Sequence, residues 1–197
     1  IDNLTIRLTK AQLRTFKEIE EDIEKQQQMN RLVQGDVGSG KTIVAILAMF
    51  KAWKAGYQSV MMAPTEILAT QHYETICKFL DSYGVVCRLL VGSLSPKKKE
   101  EILEELREGK VDILVGITDE QHRFGVRQRA ALSQKGENPD ILVMTATPIP
   151  RTLGLILYGD LDISIIDELP PGRKEIKTYV VNSNMIDRVN ECVRKHI

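Results

Sequence analysis

The run Gly35-Asp36-Val37-Gly38-Ser39-Gly40-Lys41-Thr42 has the residue types and the spacing to hold a chain of phosphates. Its glycines let the backbone curl so that successive N–H groups face an anion. Lys41 brings a positive charge to the β and γ phosphates, and Thr42 offers a hydroxyl to Mg²⁺. A helix starting here would add the positive end of its dipole. The alternative is a flexible glycine loop, but a chance match to the whole pattern in 197 residues is on the order of one in a hundred from background frequencies. The pattern predicts an ATP site lined by all eight residues, with Thr42 also on the metal.

Asp119-Glu120-Gln121-His122 follows an apolar run. Alone, an Asp-Glu pair is an ordinary surface feature. Downstream of a phosphate loop, Asp119 can hold Mg²⁺ and Glu120 can orient the attacking water. Thr9 and Gln12 stand three apart, the spacing of a capping box in which each satisfies the other's backbone N–H; the sharper reading, adenine recognition, ranks second on these residues alone. Pro64-Thr65-Glu66 and Thr145-Ala146-Thr147 each follow a predicted strand, where open α/β sheets bind ligands. Thr65 and Thr147 also suit helix caps. Lys97-Lys98-Lys99 reads as a solvated first helical turn rather than a nucleic-acid contact.

Runs rich in Val and Ile alternate with amphipathic stretches, which predicts an α/β fold with a parallel sheet covered by helices on both faces. Leu13, Phe16, Ile19 and Ile23 recur at near-helical spacing behind Thr9, giving a helix to about Gln26. Arg31 to Gln34 is a short strand entering the phosphate loop, and Thr42 to Ala55 is a helix apolar on most sides. Strands are expected at 59–63, 85–91, 111–115, 141–144, 163–166 and 176–181. Helices are expected at 66–83, at 95–109 with Ser95 and Pro96 in the order of a cap followed by proline, and at 185–196. Pro170-Pro171-Gly172 marks a turn or linker.

Lys plus Arg and Asp plus Glu both number 27, so a nucleic-acid partner would have to be held by a local basic surface. The longest uninterrupted apolar stretch, Ile43 to Phe50, is less than half of a bilayer-spanning helix, which argues against a membrane reading. Cys77, Cys87 and Cys192 are far apart and lack metal-ligand spacing, so reduced thiols in a cytoplasm are expected.

In this order the motifs resemble those of superfamily 2 helicases. The wording around them, at residues 34–42, 63–69 (APTEILA), 119–126 (DEQHRFGV), 144–153 (MTATPIPRTL) and 158–173 (YGDLDISIIDELPPGR), is similar to the RecG family of bacterial ATP-dependent DNA helicases, which remodel stalled forks and branched recombination intermediates. The resemblance implies a RecA-like lobe at residues 1–168, a linker at 169–175 and the start of a second lobe at 176–197. It places Thr9 and Gln12 in an adenine-recognising motif and Lys41, Asp119, Glu120 and His122 in catalysis. Pro64, Thr65, Glu66, Thr145, Ala146 and Thr147 are implied to couple the nucleotide to branched or duplex DNA. The partners implied inside the whole protein are an N-terminal wedge domain and a complete second motor lobe. The transcription-repair coupling translocases share part of the wording and stand as the alternative, with a P-loop switch that does not translocate behind them.

One departure is internal. In the family, the strand ending in a DILVG-like run and the strand that delivers DEQH are separate, whereas here Asp112 to Gly116 runs straight into Ile117, Thr118 and Asp119. One strand cannot fill two places in a sheet, so a break in the chain is expected at Gly116 and Ile117.

Overall fold

The computed structural model describes residues 8–25, 27–117, 139–147, 161–168, 182 and 185–194. Helix α1 spans Lys10–Ile23 and strand β1 Asn30–Gly35; α2 spans Lys41–Lys54 and β2 Ser59–Ala63. Next come α3 at Glu66–Leu80, a 3₁₀ turn at Asp81–Tyr83, β3 at Cys87–Leu90 and α4 at Pro96–Arg107. Strands β4 (Ile113–Ile117), β5 (Ile141–Thr145) and β6 (Asp162–Ile166) follow, then α5 at Ile186–Arg194. Of the expected elements, the strand at 176–181 and the linker at 169–175 lie outside the described residues.

All described strand pairs are parallel, as expected of an α/β fold, but they form two three-stranded sheets ordered β5-β1-β6 and β2-β4-β3. Leu32 of β1 stands beside Val143 of β5 and Ile163 of β6. Val115 of β4 stands between Met61 of β2 and Leu89 of β3. The sheets share a core although no ladder among the described residues joins them. Val44, Leu47 and Ala48 of α2 pack with α1 and β1, while Ala45, Ile46, Met49 and Phe50 pack with β2, α3 and β4. Leu142 and Met144 of β5 touch both clusters. This is why α2 is apolar nearly all round.

Two expectations need correction. Strand β4 runs unbroken through Gly116 and Ile117, which pair with Met62 and Ala63, so the chain has no break there. The single strand takes the place between β2 and β3. Leu13 does not belong to the buried stripe of α1: it is 39% exposed, and the buried positions are Ala11, Gln12, Thr15, Phe16, Ile19 and Asp22. Three polar side chains therefore occupy places that a hydrophobic pattern leaves blank.

Candidate nucleotide site

Strand β1 ends at Gly35, and residues 35–42 turn the chain from strand to helix. A Cβ on Gly35 would lie 2.6 Å from Ser39 Oγ and 3.1 Å from the carbonyl oxygen of Ile166, so only glycine lets the loop close on itself. Gly40 adopts φ +84°, a left-handed conformation costing an ordinary residue about 1–2 kcal/mol. Helices α1, α3 and α4 have hydroxyl N-caps at Thr9, Thr65 and Ser95, whereas Gly40 caps α2 without a side-chain bond.

The Lys41 ammonium lies folded over the loop and donates to the carbonyls of Gly35 at 2.7 Å and Asp36 at 2.8 Å. Burial lowers its pKa, partly offset by the Asp36 carboxylate. Ser39 Oγ is buried with no hydrogen-bond partner. A glycine cradle that a Cβ would fill, an orphan hydroxyl and a lysine resting on its own loop carbonyls fit a phosphate chain carrying a divalent cation.

Gln12 does two things at once. Its Oε1 accepts from the Thr9 N–H at 2.9 Å while Thr9 Oγ1 accepts from the Gln12 N–H at 3.2 Å, so the capping box is complete. Its Nε2 donates to the carbonyl of Ser39 at 2.8 Å, tying the start of α1 to the phosphate loop. The contact is tight enough that a Cβ on Gly40 would stand 2.2 Å from Nε2. Glu168 completes this corner by accepting from the Ala11 N–H at 3.1 Å. No local sequence signal could have found Glu168, because it is 157 positions away.

The other expected residues are placed less tightly. Thr65 caps α3 by accepting from the Leu68 N–H at 3.3 Å, Pro64 is exposed, and Glu66 accepts from the hydroxyl of Ser93 at the end of β3. Thr145 Oγ1 accepts from the Thr147 N–H at 3.1 Å, closing a small turn at the end of β5 with Ala146 and Thr147 exposed. Since β5 neighbours β1, this turn leaves the same sheet edge as the phosphate loop. The lysine run behaves as a solvated helix start, with Lys98 on Glu101 and Lys99 on the Gly92 carbonyl. Asp119, Glu120 and His122 lie outside the described residues. Among the described residues no cluster of His, Cys, Asp or Glu could hold a metal by itself, and no helix is long and apolar enough to cross a membrane.

The family profile described as DEAD/DEAH box helicase matches residues 9–119. The ATP-dependent DNA helicase RecG of Bacillus subtilis is 47% identical over 214 positions, covering 100% of this chain and 31% of that protein. RecG of Aquifex aeolicus is 50% identical over 216 positions, covering 100% of this chain and 27% of that protein. The chain thus spans about a third or less of the relatives it matches. Among solved structures, RecG bound to a three-way DNA junction superposes with a TM-score of 0.81 at 38% identity, over 98% of this chain and 28% of that one. The helicase MrfA, at 18% identity and a TM-score of 0.69 over 97% of this chain and 34% of that one, shares the fold. With the profile covering more than half of its residues, the chain belongs to the DEAD/DEAH box helicases, and along its whole length it is similar to RecG proteins.

Proposed function

We propose that this chain is the ATP-binding lobe of a cytoplasmic DNA translocase that uses ATP and Mg²⁺ to remodel branched DNA such as stalled forks and recombination intermediates. The observation that carries the reading is the Gln12 amide, held between the Thr9 cap and the Ser39 carbonyl beside a phosphate loop. After these two bonds the amide keeps one N–H and one lone pair. Adenine offers an acceptor at N7 and a donor at N6, which is the complement. A phosphate loop without such a neighbour would accept any nucleoside triphosphate.

On this reading ATP·Mg²⁺ supplies the phosphoryl group and the charge that draws it. Gly35 to Thr42 hold the phosphates and Thr42 and Asp119 hold the metal. Glu120 orients water. His122, Thr145 and Thr147 carry the state of the nucleotide to DNA, which Pro64, Thr65, Glu66 and Ala146 help to hold. We assign residues 1–168 to the lobe, 169–175 to a linker and 176–197 to the start of a second lobe. A complete second lobe and a wedge domain are the intramolecular partners. DNA as the substrate is supported by the likeness to RecG proteins, one of them solved on a three-way junction.

The test is ATP turnover by the intact protein with and without forked DNA. Strong stimulation by forked DNA is expected, and turnover indifferent to every DNA tested would replace this reading with a nucleotide switch. The 197-residue chain alone should bind ATP but turn it over slowly. An arginine brought from outside a P-loop is worth roughly 10³ to 10⁵ in rate.

A further inference from the structure

We propose that Arg31 is a positioning residue: its buried ion cluster sets where α1 stands against β1, and thereby fixes the Gln12 amide so that the site takes adenine over guanine. This rests on the nucleotide reading above and goes beyond it, since Arg31 lies at the far end of β1 from the phosphate loop.

The Arg31 side chain is only 10% exposed. Nε donates to Asp22 Oδ2 at 2.7 Å and Nη2 reaches the same oxygen at 2.6 Å. Nη1 donates to Ser164 Oγ at 2.8 Å and to Glu18 Oε2 at 3.4 Å. The Ser164 hydroxyl itself donates to Glu18, and Lys25 sits on the other Asp22 oxygen at 2.7 Å. Asp162 faces the cluster at 3.8 Å. One guanidinium therefore joins β1 to α1, through Glu18 and Asp22, and to β6, through Ser164.

Asp22 and Gln12 are ten residues apart on α1, about 15 Å along the helix. Arg31 and Gly35 are four apart on β1, about 13 Å along the strand. The Arg31 cluster and the Gln12–Ser39 bond are thus two rungs from the same helix, one to β1 and the other to the loop that follows it. Between them Phe16 and Ile19 pack in one apolar cluster with Val33, Val44 and Leu47. Apolar contacts are non-directional and let a helix slip by fractions of an ångström at little cost; a planar fork on fixed acceptors does not. The setting matters because guanine presents an acceptor where adenine presents a donor. Gln12 rejects guanine only while its Oε1 is held by Thr9 and its Nε2 by Ser39.

The experiment measures binding of fluorescent ATP and GTP analogues to this chain, with Mg²⁺-tripolyphosphate as a probe that lacks a base. The wild type should prefer ATP by about tenfold or more, the scale of one well-placed base contact. Arg31→Met should bring the ratio towards one while leaving tripolyphosphate affinity within about twofold, and Arg31→Lys should recover part of the preference. Ser164→Ala, which leaves the Arg31–Asp22 pair, should lower the ratio by a smaller factor and decides the matter where Arg31→Met does not fold. A folded Arg31→Met, or failing that Ser164→Ala, with the wild-type ratio would overturn the proposal even if it melted earlier. A wild-type chain that binds ATP and GTP alike would instead fail the Gln12 reading on which it rests.

Discussion

The two sheets are stabilised in different ways. Around β5-β1-β6, directional polar bonds reach between elements: Arg31 on Asp22 and Ser164, Lys51 of α2 on Glu20 and Glu24 of α1, Arg14 on Asp167 and the Ile165 carbonyl, and the Ala11 N–H on Glu168. Around β2-β4-β3 the side-chain bonds, such as Arg88 on Glu105, Ser93 on Glu66 and Gln58 on the Val111 carbonyl, are exposed or half-buried, while Ile76, Leu80, Val111, Ile113 and Val115 are fully buried. Apolar burial gives stability in proportion to area but sets no angle, whereas a charged hydrogen bond sets distance and direction at modest net gain. Substitutions in the first half should alter what the site binds, and those in the second how firmly the lobe stays folded.

The largest effect is expected at Lys41. On the proposed reading Lys41→Ala removes the loop cation that would meet the phosphates, and DNA-stimulated turnover of the intact protein should fall roughly 10³-fold or more, the scale of a lost transition-state cation. The melting temperature should hardly move, because among the described residues the ammonium bonds to the Gly35 and Asp36 carbonyls of its own loop. Retained turnover would show that the site lies elsewhere.

In the opposite half, Ile76→Ala should show the reverse. It empties a place with 0% exposure against Leu80, Met61 and Val115, and truncations of this kind cost about 2–5 kcal/mol. Chemical denaturation of the 197-residue chain measures the loss, while the ATP-to-GTP ratio should stay at its wild-type value. A changed ratio would mean that the two halves are coupled through α2 and that the division of labour fails.

Asp22 offers a finer test through pH. Burial alone would raise its pKa, but hydrogen bonds from Lys25 and Arg31 outweigh burial and hold it below 3.8. A carboxylate lowered in this way stabilises the fold fully above its unfolded value of 3.8 and loses that contribution as pH falls through the lower folded value. Asp22→Asn should therefore cost about 1.5–3 kcal/mol near neutral pH, as for hydrogen bonds to charged groups. Its stability should also fall less steeply than the wild type's below pH 3.8. Parallel acid-unfolding curves would show that the cluster does not hold α1.

Short-range features were legible in the sequence and long-range ones were not. The phosphate loop, the Thr9–Gln12 box and the Thr65 and Ser95 caps each lie within eight residues, and every one takes the expected form. The bond from Gln12 to the Ser39 carbonyl spans 27 positions, and nothing in the sequence pointed to it. Arg31 stood in the sequence only as the first residue of an expected strand, and its partners Asp22 and Ser164 stand 9 and 133 positions away. Patterning located the strands to within two or three residues at most ends but carried no information on their order, so the division into two sheets was not foreseen. Leu13 was misplaced because Gln12, Thr15 and Asp22 lie in the buried stripe, and a reading that equates burial with apolarity passes over them.

The smallest effect is expected where the outer sheet has its own arginine. Arg88 of β3 meets Glu105 of α4 at 2.7 Å, which lowers the Glu105 pKa and raises that of Arg88, much as Arg31 meets Asp22. The distances are nearly equal, but the surroundings are not: the Arg88 and Glu105 side chains are 38% and 35% exposed, against 10% and 6% for Arg31 and Asp22. Water and salt screen the outer pair, and its fork donates otherwise, among the described residues, to the Cys87 carbonyl at 3.1 Å. Glu105→Gln should cost far less than Asp22→Asn, and that cost should shrink further as ionic strength rises. The ATP-to-GTP ratio should be untouched. A loss as large as that of Asp22→Asn, persisting in high salt, would show that exposure does not separate the two arginines, and the buried cluster at Arg31 would then have no special claim to fixing geometry.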